Sequence, residues 1–160
     1  MSDFQLPRDE RCVVVPHDHP ELFGDNRLIR RIHKDYVVDG QEPGSKRLSS
    51  ALFKFRSHGG SHLSFDSEPC ILAKDCDPAE YVCDPKFFAA VVIRSEDLRS
   101  VDTAAMPSDR WKVGMVPVPG NDCHAGLWGQ ITKGQSNAIQ RLSEWLIEIP
   151  GVTKLQPEAT

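Results

Sequence analysis

The sequence is short of most features that would announce a function. No apolar run approaches the roughly 20 residues that a membrane span requires, so no transmembrane segment is expected. A basic excess is missing too: 19 Lys and Arg face 23 Asp and Glu, and a net charge of -4 argues against general binding to a phosphate backbone. The opening MSDFQLPRDERC mixes acids and bases around no apolar core and does not read as a secretory signal. No tight C-x(2–4)-C hook is present, because Cys70 to Cys76 and Cys76 to Cys83 leave gaps of five and six residues. Zinc is therefore not expected. Five cysteines, an odd number, without an export signal are read as reduced thiols in a cytoplasmic protein. The nucleophile elbow G-x-S-x-G does not occur, so nothing local strains a serine into exposure. There are no internal repeats.

What remains describes an ordinary globular chain. At 160 residues it fits one domain and can bury roughly two thirds of its unfolded surface. A hydrophobic content of 39 %, with 26 % charged residues and twelve prolines, fits a folded protein rich in loops. Residues 1–26 read as an N-terminal arm, 27–150 as a single globular domain, and 151–160 as a loose tail. RLIRRI at 27–32 is a strand pattern, and FFAAVVI at 87–93 reads as the buried central strand. RLSSALFKF at 47–55 and LSFD at 63–66 suggest a hairpin reversing at Gly59-Gly60. Asp77-Pro78-Ala79-Glu80 is a helix start, with Asp as cap and Pro in the first turn. Ser95–Arg99 predicts a single capped turn or short helix, and 111–118 and 124–131 predict strands. Ile139, Leu142, Leu146 and Ile149 lie at helical spacing and predict a long amphipathic helix over 136–149. The expected class is α+β: a mixed or antiparallel sheet of about five or six short strands, one long C-terminal helix, and one or two short helices.

Candidate chemistry gathers in the first half. Arg30, Arg31 and Arg47 belong to a locally basic stretch and are candidate anion-binding groups. The hairpin would bring Ser49 or Ser50 close to Ser64 or Asp66 across a ladder. With His124 as base and Asp66 as orienting acid, a serine could then act as nucleophile in a Ser/His hydrolase. His58 and His62, flanking Gly59-Gly60, form a weaker candidate metal pair for metal-assisted hydrolysis, and His17-Asp18-His19 reads as a solvent-exposed loop. The combined site expectation is Arg31, Ser49, Ser50, Asp66 and His124.

Two resemblances follow from these residues. Arg30 or Arg31 on a strand, a serine pair on the next, and a later acid loosely resemble the arginine, serine and glutamate layout of ADP-ribosyltransferases. That layout implies NAD as cofactor or substrate, with the cation on a phosphate or ribose. Glu96 and Glu148 fall in helical contexts, however, and a Glu-x-Glu pair is missing. More widely, LIRRI (28–32), Asp39-Gly40, RLSSALF (47–53), LSFD (63–66) and NDCHAGLWG (121–129) resemble a group of small bacterial proteins of uncharacterised function. Typical members carry RRI, RPSSAAF, LSVD and a His-Ala step. Leu48 stands here where that pattern has proline, and Phe65 where it has valine. The resemblance implies a cytoplasmic bacterial accessory domain of a defence or toxin and immunity system. A protein partner is expected, with no cofactor and, from the apolar runs and the charge, no membrane or general nucleic-acid contact. A nucleotide-handling enzyme is the alternative.

Overall fold

The structure is a computed structural model describing residues 4–56 and 61–157. Its frame is a six-stranded antiparallel sheet in the order β10-β6-β1-β5-β8-β7. These strands are β1 (Arg27–His33), β5 (Leu63–Ser67), β6 (Phe87–Arg94), β7 (Lys112–Met115), β8 (His124–Trp128) and β10 (Glu144–Ile147). A second sheet joins β2 (Val37–Asp39), β3 (Lys46–Leu48) and β11 (Val152–Thr153), and β4 (Phe55–Arg56) pairs with β9 (Gln130–Ile131).

Side-chain alternation gives the large sheet two faces. Leu28 and Ile32 of β1, Phe65 of β5, Val91 and Ile93 of β6, and Leu127 of β8 point into the main core. That side is covered by α3 (Ser95–Ser100), α4 (Lys133–Leu142) and the 49–53 turn, through Leu98, Ile139, Leu52 and Phe53. The opposite face shows Ile29, Ala90 and Val92, covered by Ile71 of α1 (Glu68–Ala73) and Val82 of α2 (Pro78–Val82). This second cover is short. Among the described residues its buried contacts reach β1 and β6, and the polar groups collect towards β5 and β8.

The expected α+β class is corrected: among the described residues the chain is mostly sheet, with eleven strands and four short helices. The long C-terminal helix does not form. α4 closes at Leu142, Ser143 takes extended backbone, and Glu144–Ile147 becomes the edge strand β10 on β6. Thr132 caps α4 by accepting the Gln135 N–H at 3.2 Å, while the Gln135 side chain accepts the Thr132 N–H. The expected hairpin is also replaced. β3 stops at Leu48, residues 49–53 turn, and β5 pairs with β1 and β8; its reversal at Gly59-Gly60 lies outside the described residues. The strand expected over 124–131 divides at Gly129, whose φ of 143° suits glycine alone.

Both ends of the described chain are held. Asp18 Oδ1 accepts the Val113 N–H at 3.0 Å and the His19 N–H donates to Val113 O at 3.0 Å, so the arm lies along the outer edge of β7. At the other end β11 pairs in parallel with β3, and the buried Lys154 ammonium donates to Gln140 O at 2.9 Å, closing the C-terminus of α4.

Candidate functional site: an arginine pocket beside a histidine shelf

β1 and β5 are registered only at Leu28↔Ser67 and Ile29↔Asp66. Beyond that point the strands part, and a cavity of about 570 Å3 opens between them. Arg30 braces the gap: its guanidinium donates to Leu52 O (3.1 Å), Ser64 O (3.0 Å) and the Tyr36 hydroxyl (3.1 Å). Burial lowers its pKa, partly offset by Tyr36. With its fork spent on protein acceptors, Arg30 serves the frame.

Arg31 is placed differently. Two residues beyond Ile29, it shares a face with Asp66, the cross-strand partner of Ile29. Its Nε donates to Asp66 Oδ2 at 2.7 Å and one terminal nitrogen to Oδ1 at 3.2 Å. The Asp66 side chain is 3 % exposed and that of Arg31 22 %, so the carboxylate forms the floor and the cation reaches the cavity. Burial pulls the Arg31 pKa down, but hydrogen bonding and charge from Asp66, with Asp84 and Tyr81 adding, together outweigh it and hold the cation above its usual range. Asn121 supports the pair from behind. Its amide donates to Asp66 Oδ1 at 2.7 Å, and its carbonyl accepts the Tyr81 hydroxyl at 2.7 Å and the Cys123 N–H at 3.2 Å. Burial, then Asp122 and Asp66, raises the Tyr81 pKa and keeps that hydroxyl a donor. Buried Asp66 is thus fully engaged, and the free edge of Arg31 is aimed by a relay reaching α2.

The walls are mixed. His33 and Phe87, partners at the β1–β6 bulge, meet edge to face at 6.0 Å, and Lys86 Nζ lies 5.4 Å from the Phe87 ring centre. Asp84 fixes this corner by accepting the Lys86 and Phe87 N–H groups at 2.7 and 2.9 Å, which holds its own carboxyl below the usual range. Asp84 also stands 3.8 Å from Arg31 at the rim. His124 closes the far side. It is the ladder partner of Asp66, and its Nδ1 lies 2.8 Å from Val116 O. A carbonyl only accepts, so Nδ1 carries the proton and Nε2 is the basic nitrogen.

Next to His124 the sheet becomes a shelf for rings. Gly114 and Gly126 are ladder partners. The His17 ring covers the first and the His62 ring the second, so closely that a Cβ would come within 2.5 Å of either. His62 packs against His124 (5.2 Å) and Trp128 (5.7 Å), and Trp128 against His17 (5.4 Å). Burial, with His124 adding to it, lowers the His62 pKa to about 4. His17 and His19 are buried, not solvent-exposed as the sequence suggested. His19 is pushed below its usual value mainly by burial.

Of the residues singled out in the sequence, the cavity brings together Arg30, Arg31, Asp66 and His124. Ser64 also lines it, but the cavity does not gather the serine pair Ser49-Ser50. Ser49 Oγ accepts the Ala51 N–H within its own turn, and neither Ser49 nor Ser50 lines the cavity. Arg47 lies on exposed β3 and donates to Leu48 O. His58 falls outside the described residues. Among the described residues no group of three or more His, Cys, Asp or Glu could hold a metal ion. Sequence reading passed over Tyr36, Tyr81, Lys86, Phe87 and Asn121, which come from four separate segments. Asn121 alone carried a signal, standing in NDCHAGLWG.

The cysteines also differ from expectation. Cys70 of α1 and Cys123, one residue before β8, form a disulfide with Cα atoms 5.4 Å apart, while Cys12, Cys76 and Cys83 are free. Packing of α1 against the sheet, with Cys123 buried and Cys70 partly buried beside it, puts them in bonding range despite their separation of 53 residues. The chain matches no protein-family model, no curated protein and no solved structure, so its chemistry is read from its own geometry.

Proposed function

We propose that this protein is a binding domain for a small anionic ligand of the nucleotide class, received in the cavity between β1 and β5. One observation carries the reading: Arg31 is held by a buried carboxylate with its outer edge in a cavity of about 570 Å3. That volume is ordinary for a small-molecule site. An arginine aimed this way meets a phosphate without first losing side-chain freedom. Lys86 adds a second cation, His33 and Phe87 offer ring surface for a base, and His124 contributes a basic nitrogen. Serine hydrolysis through Ser49 or Ser50 is not part of the reading, because those side chains are elsewhere.

Titration calorimetry with adenosine 5′-monophosphate, ADP-ribose, adenosine and inorganic phosphate tests it. The two nucleotides are expected to bind and adenosine to bind at least tenfold more weakly, one phosphate contact being worth about 1.5 kcal/mol or more. Arg31→Lys, which keeps the charge near Asp66 but loses the fork, should weaken nucleotide binding. Absence of binding by both nucleotides tighter than about 1 mM would end the proposal.

A further inference from the structure

We propose that the Cys70–Cys123 disulfide is a redox control on the arginine pocket, an inference that rests on the ligand reading above for its affinity test. The bond ties α1 to the chain just where the pocket's rear support is built. Cys123 stands between Asn121, which holds Asp66, and His124, which closes the cavity. Its N–H is donated to Asn121 Oδ1 at 3.2 Å, and its carbonyl accepts the Ser67 N–H at 2.8 Å, one residue beyond Asp66. The β5–β8 ladder ends at Asp66↔His124, so no further strand pairing carries residues 119–123. A single isolated pairing, Val118↔Asn121, closes their turn. The disulfide is therefore the covalent hold on the segment that presents Asn121.

The two sulfurs differ in access: Cys123 is fully buried, whereas Cys70 is partly exposed. A small dithiol attacks as thiolate at Cys70 Sγ. The Sγ–Sγ bond breaks, Cys123 leaves as thiolate and takes a proton, and a mixed disulfide forms on Cys70. The reductant's second thiol displaces Cys70 as a thiol and leaves as a cyclic disulfide. Two electrons pass from dithiol to protein, and the reverse reaction needs a disulfide oxidant. With the bond open, the exposed Lys74–Asp122 ion pair (2.9 Å) and the Tyr81 hydroxyl on Asn121 (2.7 Å) are left to tie 119–123 to the helices, so Asn121 is held less firmly and its grip on Asp66 loosens. The aim of Arg31 is then relaxed.

The test compares oxidised protein, protein reduced with excess dithiothreitol, and Cys70→Ser, with Cys76→Ser as control. Adenosine 5′-monophosphate affinity is read by calorimetry, backbone exchange by hydrogen–deuterium mass spectrometry, and fold by far-ultraviolet circular dichroism. Reduced protein and Cys70→Ser should stay folded, bind at least about fivefold more weakly, and exchange faster at 119–124 and 64–67. Reoxidation should restore the reduced wild type, and Cys76→Ser should match oxidised protein. Unchanged affinity and exchange on reduction would overturn the proposal. So would global unfolding of the reduced protein, which would make the bond a structural staple. If the oxidised protein fails to bind the nucleotide, the ligand reading falls, and exchange alone decides: acceleration confined to 119–124 and 64–67 upholds the control, and its absence refutes it.

Discussion

His62 should make the protein acid-labile over a defined window. Its ring lies on Gly126 between His124 and Trp128, and burial there lowers its pKa from 6.5 to about 4. Above pH 6.5 the ring is neutral whether the chain is folded or unfolded, and it contributes nothing to pH dependence. As pH falls from 6.5 towards 4, the unfolded chain takes a proton at this position and the folded one resists it, so stability is lost. A shift of that size corresponds to at most about 3 kcal/mol at pH 4. The ring keeps some solvent contact, and screening brings the expected loss to about 1.5 kcal/mol. Urea unfolding followed by tryptophan fluorescence at pH 7 and pH 4, on wild type and His62→Gln, isolates this contribution, since most other titrating groups are common to both. The stability gap between the two proteins should shift by about 1.5 kcal/mol against wild type on acidification. A gap constant to within about 0.3 kcal/mol, or a His62 ring titrating near 6.5 by NMR, would refute the reasoning.

Other perturbations test other parts of the site. Gly126→Ala places a Cβ 2.5 Å from the His62 ring and should cost about 1–3 kcal/mol in urea unfolding, with His62 titrating closer to its ordinary value. Asp66→Ala leaves Arg31 without its carboxylate and Asn121 without its acceptor; a loss of about 3 kcal/mol is expected by thermal unfolding. Asp84→Asn, which keeps a side-chain oxygen to accept the Lys86 and Phe87 N–H groups, removes the rim charge 3.8 Å from Arg31 and should tighten nucleotide binding about twofold to fivefold by calorimetry. Opening the Cys70–Cys123 bond releases a 53-residue loop and should lower unfolding stability by about 4 kcal/mol.

Legibility in the sequence followed the range of the interaction. Strand β1, strand β6 and helix α2 were readable because their causes are local: Leu28, Ile29 and Ile32 set among arginines in the first, an apolar run in the second, and Asp77 accepting the Glu80 N–H at 3.1 Å in the third. The C-terminal helix was misjudged because the spacing of Leu142, Leu146 and Ile149 imitates a helical face. Pairing of Glu144 with Val92 and Trp145 with Val91 outweighs that propensity. Part of the site was visible as residue types, since Arg31, Asp66 and His124 were singled out and lie together. The turn that withdraws Ser49 and Ser50 could not be read, because its anchors are distant: Gln140 donates to Ser49 O at 3.2 Å and Ser136 accepts the Phe53 N–H at 3.0 Å. The disulfide was likewise hidden in pairing between elements, which cysteine spacing does not encode.

The arm along β7 has a consequence for handling the protein. Asp18 and His19 occupy hydrogen-bonding groups of Val113 that would otherwise face water at the rim of a six-stranded sheet. A truncated chain starting after residue 20 would present a bare strand, and such strands recruit one another. Shortened versions should therefore self-associate through β7, and trimming the first twenty residues to tidy a sample would yield aggregates in place of a smaller monomer.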